Sequence, residues 1–399
     1  MKNKEQDLIM CLDLPSLPLP KGVTSRFIST PDLTFHIIEA GATPVQDHPL
    51  IVLLHGFPEI AYSWRRVLPK LADAGFHAVA PDQRGFGRTT GWDTRSFEEV
   101  DLASFSLTNL VRDIVVLVHA LGYRSVHCVV GHDCGAITAS LCALMRPDFF
   151  RSVVLMSHPF NGSPTLPFNT ANEGSVEEQA EVAAQGGGGG AEGSAAASGI
   201  HEALARSGRK HYKWYYSTAS ANTDMSSLAP EELHRFLRGY FHLKIEEVVQ
   251  MPYYYIMPLD ATMPEAVERH MVDEPSQGMT SHSWLPDDEL AVYVAEYART
   301  GYQGGLNWYC VRTAAGGRFT KDYDLFAGKK IETPCSFISG AKDWGTYQEP
   351  GALDKMTSGA VCSDFRSLKV LDGVGHWIPQ EAPDEVVQTI IELTAGLNV

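Results

Sequence analysis

The sequence predicts an α/β protein: a mostly parallel sheet covered by helices on both faces, interrupted by a mainly helical insertion. Three observations lead there. Short β-branched runs alternate with helix-period stretches over the first 160 residues, the pattern of a sheet built from β/α units. The alternation stops after His158-Pro159 and resumes at Thr333–Ser339. The chain has 399 residues, more than one ordinary domain of about 100–200 residues needs.

The elements follow in order. Strands are expected at Val23–Ser29, Leu33–Glu39 and Leu50–His55, then a helix over Ile60–Asp73 and a strand at His77–Pro81. A helix over Leu107–Leu121 precedes a strand at Ser125–Val130. The next helix runs from Cys134 to Arg146 and stops before Pro147, because proline disfavours helix in the residue before it. Arg151–Ser157 reads as a buried strand. The insertion holds aromatic and helical segments at His211–Tyr216, Glu231–Phe241 and Glu289–Arg299. It also contains QGGGGGAEGSAAASGI, residues 185–200, where consecutive glycines oppose regular structure through their entropy cost and predict a loop. Met251–Pro258, apolar and aromatic, is a candidate channel lining or ordinary packing. After Thr333–Ser339 come a strand at Ser367–Leu371 and a last helix over Glu385–Ala395. The expected organisation is core 1–157, insertion 158–309 and core 310–399.

Composition narrows the partners. Lys and Arg number 32 against 48 Asp and Glu, a net charge of −16 that repels phosphate backbones and argues against nucleic acid. No apolar run approaches the ~18 residues of a membrane helix. The first fifteen residues lack the apolar core of a signal peptide. Seven cysteines, an odd number with no C-x-x-C pair, fit reduced thiols and a cytoplasmic protein. No metal-ligand cluster or phosphate loop is visible, so no cofactor is expected.

The strongest chemical signal is Gly131-His132-Asp133-Cys134-Gly135, placed between a strand and a helix. A turn this sharp needs small residues two positions either side of its apex, and it exposes the apex side chain beside a helix N-terminus. The apex is Asp133. A carboxylate attacks sp³ carbon and leaves an alkyl ester on the protein. The bland alternative is a helix N-cap between turn glycines. Cys134, one position off the apex, reads as a buried small hydrophobe.

With this turn the chain resembles the α/β-hydrolase superfamily, in its epoxide hydrolase branch. His55-Gly56-Phe57-Pro58-Glu59 is similar to the family's H-G-x-P oxyanion loop, with a cis peptide implied before Pro58. Asp82-Gln83-Arg84-Gly85-Phe86-Gly87 resembles the D-x-R-G-x-G loop, read as a structural turn with an internal Asp–Arg pair. The family's order of nucleophile, acid and histidine falls on Asp133, Asp343 and His376. The resemblance implies that His376 activates water, that Asp343 orients the His376 ring, and that His55, Phe57 and Cys134 form the oxyanion site, the last two through backbone N–H groups.

The leaving group decides the branch. An alkoxide must be protonated or hydrogen-bonded, and phenols of pKa about 10 suit that task. Thr300-Gly301-Tyr302-Gln303-Gly304-Gly305-Leu306-Asn307-Trp308-Tyr309 is similar to the family's segment carrying a ring-opening tyrosine, here Tyr309. The second falls in His211-Tyr212-Lys213-Trp214-Tyr215-Tyr216, on Tyr212 before Tyr215, with Tyr215 and Trp308 also counted as substrate-lining. The resemblance therefore implies an epoxide hydrolase with a helical cap, acting on a small apolar substrate and water. The alternatives are a haloalkane or haloacid dehalogenase on the same triad, and a ligand-binding member without catalysis. The family usually has Trp after the nucleophile; Cys134 departs from it and disfavours halide binding.

Overall fold

The computed structural model describes residues 14–165, 201–243, 256–268, 281–313 and 318–397. Strands β1 (Thr24–Ser29), β2 (Thr34–Ala40), β3 (Leu50–Leu54), β4 (His77–Pro81), β5 (Cys128–His132) and β6 (Val153–Met156) precede the insertion. Within the insertion, β7 (Arg209–His211) and β8 (Ile256–Pro258) make a separate antiparallel ribbon. The chain then returns to the main sheet with β9 (Cys335–Gly340) and β10 (Phe365–Leu371). The eight-stranded order is β1-β2-β4-β3-β5-β6-β9-β10. β2 runs antiparallel to both β1 and β4, and every pairing from β4 to β10 is parallel.

All five residues of β3 are buried, as expected for a central parallel strand covered on both faces. They alternate between two cores. Leu50, Val52 and Leu54 face the cluster built with α2 (Leu107–Ala120) and α3 (Cys134–Met145). Ile51 and Leu53 face the cluster built with α1 (Leu68–Asp73) and α8 (Pro383–Thr394).

A third core joins the sheet's carboxyl edge to the insertion. Its insertion helices are α4 (Tyr212–Tyr216), α5 (Pro230–Leu243), α6 (Asp287–Thr300) and α7 (Gln303–Thr313). Polar ties fix the seam. Arg88 Nε meets Glu296 Oε1 at 2.7 Å, and the Trp308 indole donates to Arg84 O at 2.9 Å. The Trp377 indole donates to Phe241 O at 2.8 Å. At one point backbone touches backbone: a Cβ on Gly304 would stand 2.0 Å from Gly85 O, so neither position has room for a side chain.

Three sequence expectations change. The helix over Ile60–Asp73 is two pieces, a 3₁₀ turn at Ala61–Trp64 and then α1. Pro69 lies in α1's first turn, where its missing N–H costs nothing, and could not sit in the middle of one long helix. The strand expected at Ser125–Val130 starts at Cys128 and continues to His132, delivering Asp133 directly. The Asp82–Arg84 pair does not form. Arg84 makes a two-point contact with Asp113 at 2.7 and 2.8 Å, while Asp82 holds His36 at 2.7 Å and the Ala61 N–H at 2.7 Å. A planar guanidinium takes the carboxylate that can meet both its N–H groups. The glycine-rich 185–200 stretch and residues 251–255 of the candidate channel segment lie outside the described residues.

Candidate active site

The site lies where β3, β5, β9 and β10 end, the side of a parallel sheet where ligands bind. Asp133 has φ 52° and ψ −120°, a left-handed conformation that a non-glycine residue adopts only when its surroundings impose it. The imposing contacts are close. A Cβ on Gly131 would stand 2.2 Å from Gly135 O, and one on Gly135 would stand 2.2 Å from Leu54 O. Strand and helix therefore approach closely because both flanking positions are glycine.

Asp133 is held from two sides. The Phe57 N–H donates to Oδ1 at 3.1 Å, and His376 Nε2 lies 3.4 Å from Oδ2. The Phe57–Pro58 peptide is cis. His376 Nδ1 is 2.8 Å from Asp343 Oδ1, which also accepts the Gly345 N–H at 2.8 Å. Burial pushes the Asp343 carboxyl up, but the charge and hydrogen bond of His376 outweigh it and hold the acid below its ordinary range.

Two phenols close the insertion side. Burial, then Asp133, lifts the Tyr212 phenol well above its usual pKa; burial, then Cys134 and Asp133, does the same for Tyr309. Both keep their protons at neutral pH. The Tyr212 and Tyr309 rings stand 6.1 Å apart, and the Cys134 thiol donates to the Tyr309 oxygen at 3.5 Å. Burial and the neighbouring Asp133 raise that thiol to about 12, so it stays a neutral donor.

The remaining candidates use their polar atoms elsewhere. Tyr215 donates to Asp224 at 3.1 Å, while Tyr212 and Tyr216, four residues apart on α4, meet edge-on. Trp308 seats the insertion on the Arg84 carbonyl and packs edge-on against Phe86. His55 lies buried, its Nε2 accepting the Gln83 N–H at 3.1 Å and its Nδ1 on Gly56 O at 2.9 Å. Burial pushes its pKa down, so His55 ties the loop together as a neutral ring.

Sequence reasoning overlooked a buried pair beneath Asp133. His132 Nδ1 is 2.6 Å from Glu59 Oε2, and Nε2 is 2.7 Å from the carbonyl oxygen of His376. The carbonyl can only accept, so an ionised Glu59 requires a proton on both ring nitrogens. Burial pushes His132 down, but the charge of Glu59 outweighs it and raises the imidazole. Burial pushes Glu59 up, and His132 pulls it below the ordinary range. The signal was present: two polar residues inside the quoted motifs, His132 at the end of one fully buried strand and Glu59 in the loop that follows another.

The pair's contribution to stability is complete between the unfolded values of about 4.3 for Glu and 6.5 for His. It is lost as pH rises through the raised His132 value, and as pH falls through the lowered Glu59 value. Glu59→Gln should cost about 3–5 kcal/mol near pH 6, because it leaves a buried imidazolium unpaired. Urea unfolding at pH 6 and pH 9 checks this. The deficit should shrink at the higher pH; an equal deficit at both would assign the loss to packing.

The sheet order, the strained turn at Asp133 and the Asp–His–Asp geometry define an α/β-hydrolase. A family model described as alpha/beta hydrolase fold matches residues 49–185. The chain is 28% identical to epoxide hydrolase A of Mycobacterium tuberculosis over 381 residues, 94% of this chain and 98% of that protein. It superposes on the structure of an epoxide hydrolase from an endophytic Streptomyces with a TM-score of 0.71 at 29% identity, covering 95% of this chain and 97% of that one. Potato (Solanum tuberosum) epoxide hydrolase I superposes with a TM-score of 0.65 at 25% identity, over 94% and 99% of the two chains. Along nearly its whole length the chain is similar to epoxide hydrolases, and its fold is that of the α/β-hydrolases.

Proposed function

We propose that this hydrolase opens epoxides to vicinal diols through an ester on Asp133. One observation carries the reading: a carboxylate held between a backbone N–H and His376, with the buried Tyr212 and Tyr309 phenols near enough for its charge to raise them. Oδ1 lies on the Phe57 N–H, so Oδ2 is the attacking oxygen. It forms a C–O bond as the epoxide C–O bond breaks, and the departing oxygen takes hydrogen bonds from Tyr309 and Tyr212 and then one proton from one of them, leaving a tyrosinate. His376 next removes a proton from water. The water oxygen attacks the ester carbonyl carbon, and the negative charge gathers on Oδ1 at the Phe57 N–H. Collapse breaks the bond between the carboxyl carbon and Oδ2, the departing alkoxide takes the imidazolium proton, and the proton left on the carboxyl group returns to the tyrosinate, so the diol leaves and Asp133, His376 and the phenol are restored. Asp343 keeps the ring oriented and stabilises the imidazolium.

Residues 158–309 act as the cap that carries the phenols, and the bound molecule is a small apolar epoxide. Among the described residues six cysteines are free and no helix is long and apolar enough to cross a membrane; we place the protein in the cytoplasm. A single turnover in ¹⁸O water tests the route. Label should enter the Asp133 carboxylate and be absent from the first diol formed. Label in the diol alone would mean that water attacks the epoxide directly.

A further inference from the structure

The turn that carries the relay acid also reaches the insertion. Asp343 caps a one-turn 3₁₀ helix, Trp344–Tyr347, and Gln348 ends it. Trp344 lies nearly parallel to the His376 ring, at 14° and 6.2 Å, and meets Tyr212 edge-on at 5.9 Å. Gln348 Nε2 donates to the Tyr212 phenol oxygen at 3.1 Å, across 136 residues of sequence. One short turn therefore holds both the residue behind His376 and the residue behind Tyr212.

We propose that Gln348 is the positioning residue for Tyr212, its amide N–H occupying the phenol oxygen so that the phenol hydrogen is directed into the site. A phenol has one hydrogen to give and lone pairs to accept with. Once an amide donor sits on those lone pairs, the hydrogen must point elsewhere, and accepting one bond strengthens the bond given. Tyr309 has a counterpart donor in the Cys134 thiol at 3.5 Å, but a thiol is the weaker donor. Tyr212 is thus the phenol more strongly primed to give its hydrogen. The kinetic consequence rests on the epoxide reading; the contact itself does not.

Single-turnover reaction with styrene oxide separates ester formation on Asp133 from ester hydrolysis. Gln348→Leu should slow ester formation about tenfold, the worth of one hydrogen bond, and leave hydrolysis within about twofold. Gln348→Glu should slow formation further, because its carboxylate accepts the phenol hydrogen and turns it from the substrate. In a Tyr212→Phe background, Gln348→Leu should change nothing more. Equal slowing of both steps would show only a loosened Asp343 turn, and a full effect without the phenol would also overturn the proposal. If the unmodified protein forms no ester, the epoxide reading falls and butyramide binding reads the contact alone. Its affinity should fall about tenfold with Gln348→Leu, but only while Tyr212 is present; unchanged affinity would overturn the proposal.

Discussion

Mixed with an epoxide, the His376→Gln protein stalls as an ester on Asp133. Its Asp133 peptide gains the mass of one epoxide, and steady turnover falls by about 10²–10⁴. The reason lies in which step each group serves. Asp133 Oδ2 needs no proton removed before it attacks carbon, so ester formation requires Oδ2, the phenols and the substrate. Hydrolysis requires a base, and His376 is the ring within reach of both Asp133 and Asp343. Glutamine keeps much of the side chain's size but cannot take a proton from water. Intact-protein mass spectrometry after a short incubation reads the adduct. An unmodified mass with turnover equally reduced would mean that His376 acts in, or before, bond formation to Asp133.

The paired replacement Tyr212→Phe/Tyr309→Phe is expected to slow ring opening by about 10²–10⁴, while displacement of halide from an alkyl halide of similar size changes little. Phenylalanine preserves both rings in the aromatic cluster, including their contacts with Tyr216 and Phe57, and removes only the hydroxyls. An alkoxide leaving group then has no donor, whereas a halide leaves unaided. Each single replacement leaves one phenol and should cost less than the pair. Burst rates for an epoxide and a bromide on the same protein make the comparison. Parallel losses on both substrates would assign the phenols to binding or packing.

The fold class was legible because it is written in local periods. Strand-length apolar runs alternate with helical stretches, and the residues around Asp133 spell a turn that only glycine flanks permit. The split at Ala61–Trp64 was harder to see, since apolar spacing runs on through it and only Pro69 marks the break. What sequence could not display are partnerships between distant positions. Glu59 and His132 are 73 residues apart, and Gln348 and Tyr212 are 136 apart. Arg84 was assigned to the acid two residues away, yet tertiary packing brought it to Asp113. The choice between Tyr212 and Tyr215 turned on the partner each hydroxyl meets, Gln348 for Tyr212 and Asp224 for Tyr215, which a run of aromatics does not reveal.

The backbone contact between Gly85 and Gly304 bears on how such a protein can vary. The 82–88 loop and the helix Gln303–Thr313 meet with no side chain between them, flanked by Arg84–Trp308 and Arg88–Glu296. A lid taken from a relative would bring its own spacing to this seam and would clash or gape unless the matching loop came with it. Exchanging either segment therefore requires exchanging the other, although they lie some 200 residues apart in the chain. Diversity of substrate is easier to acquire in the parts of the insertion that do not touch the loop.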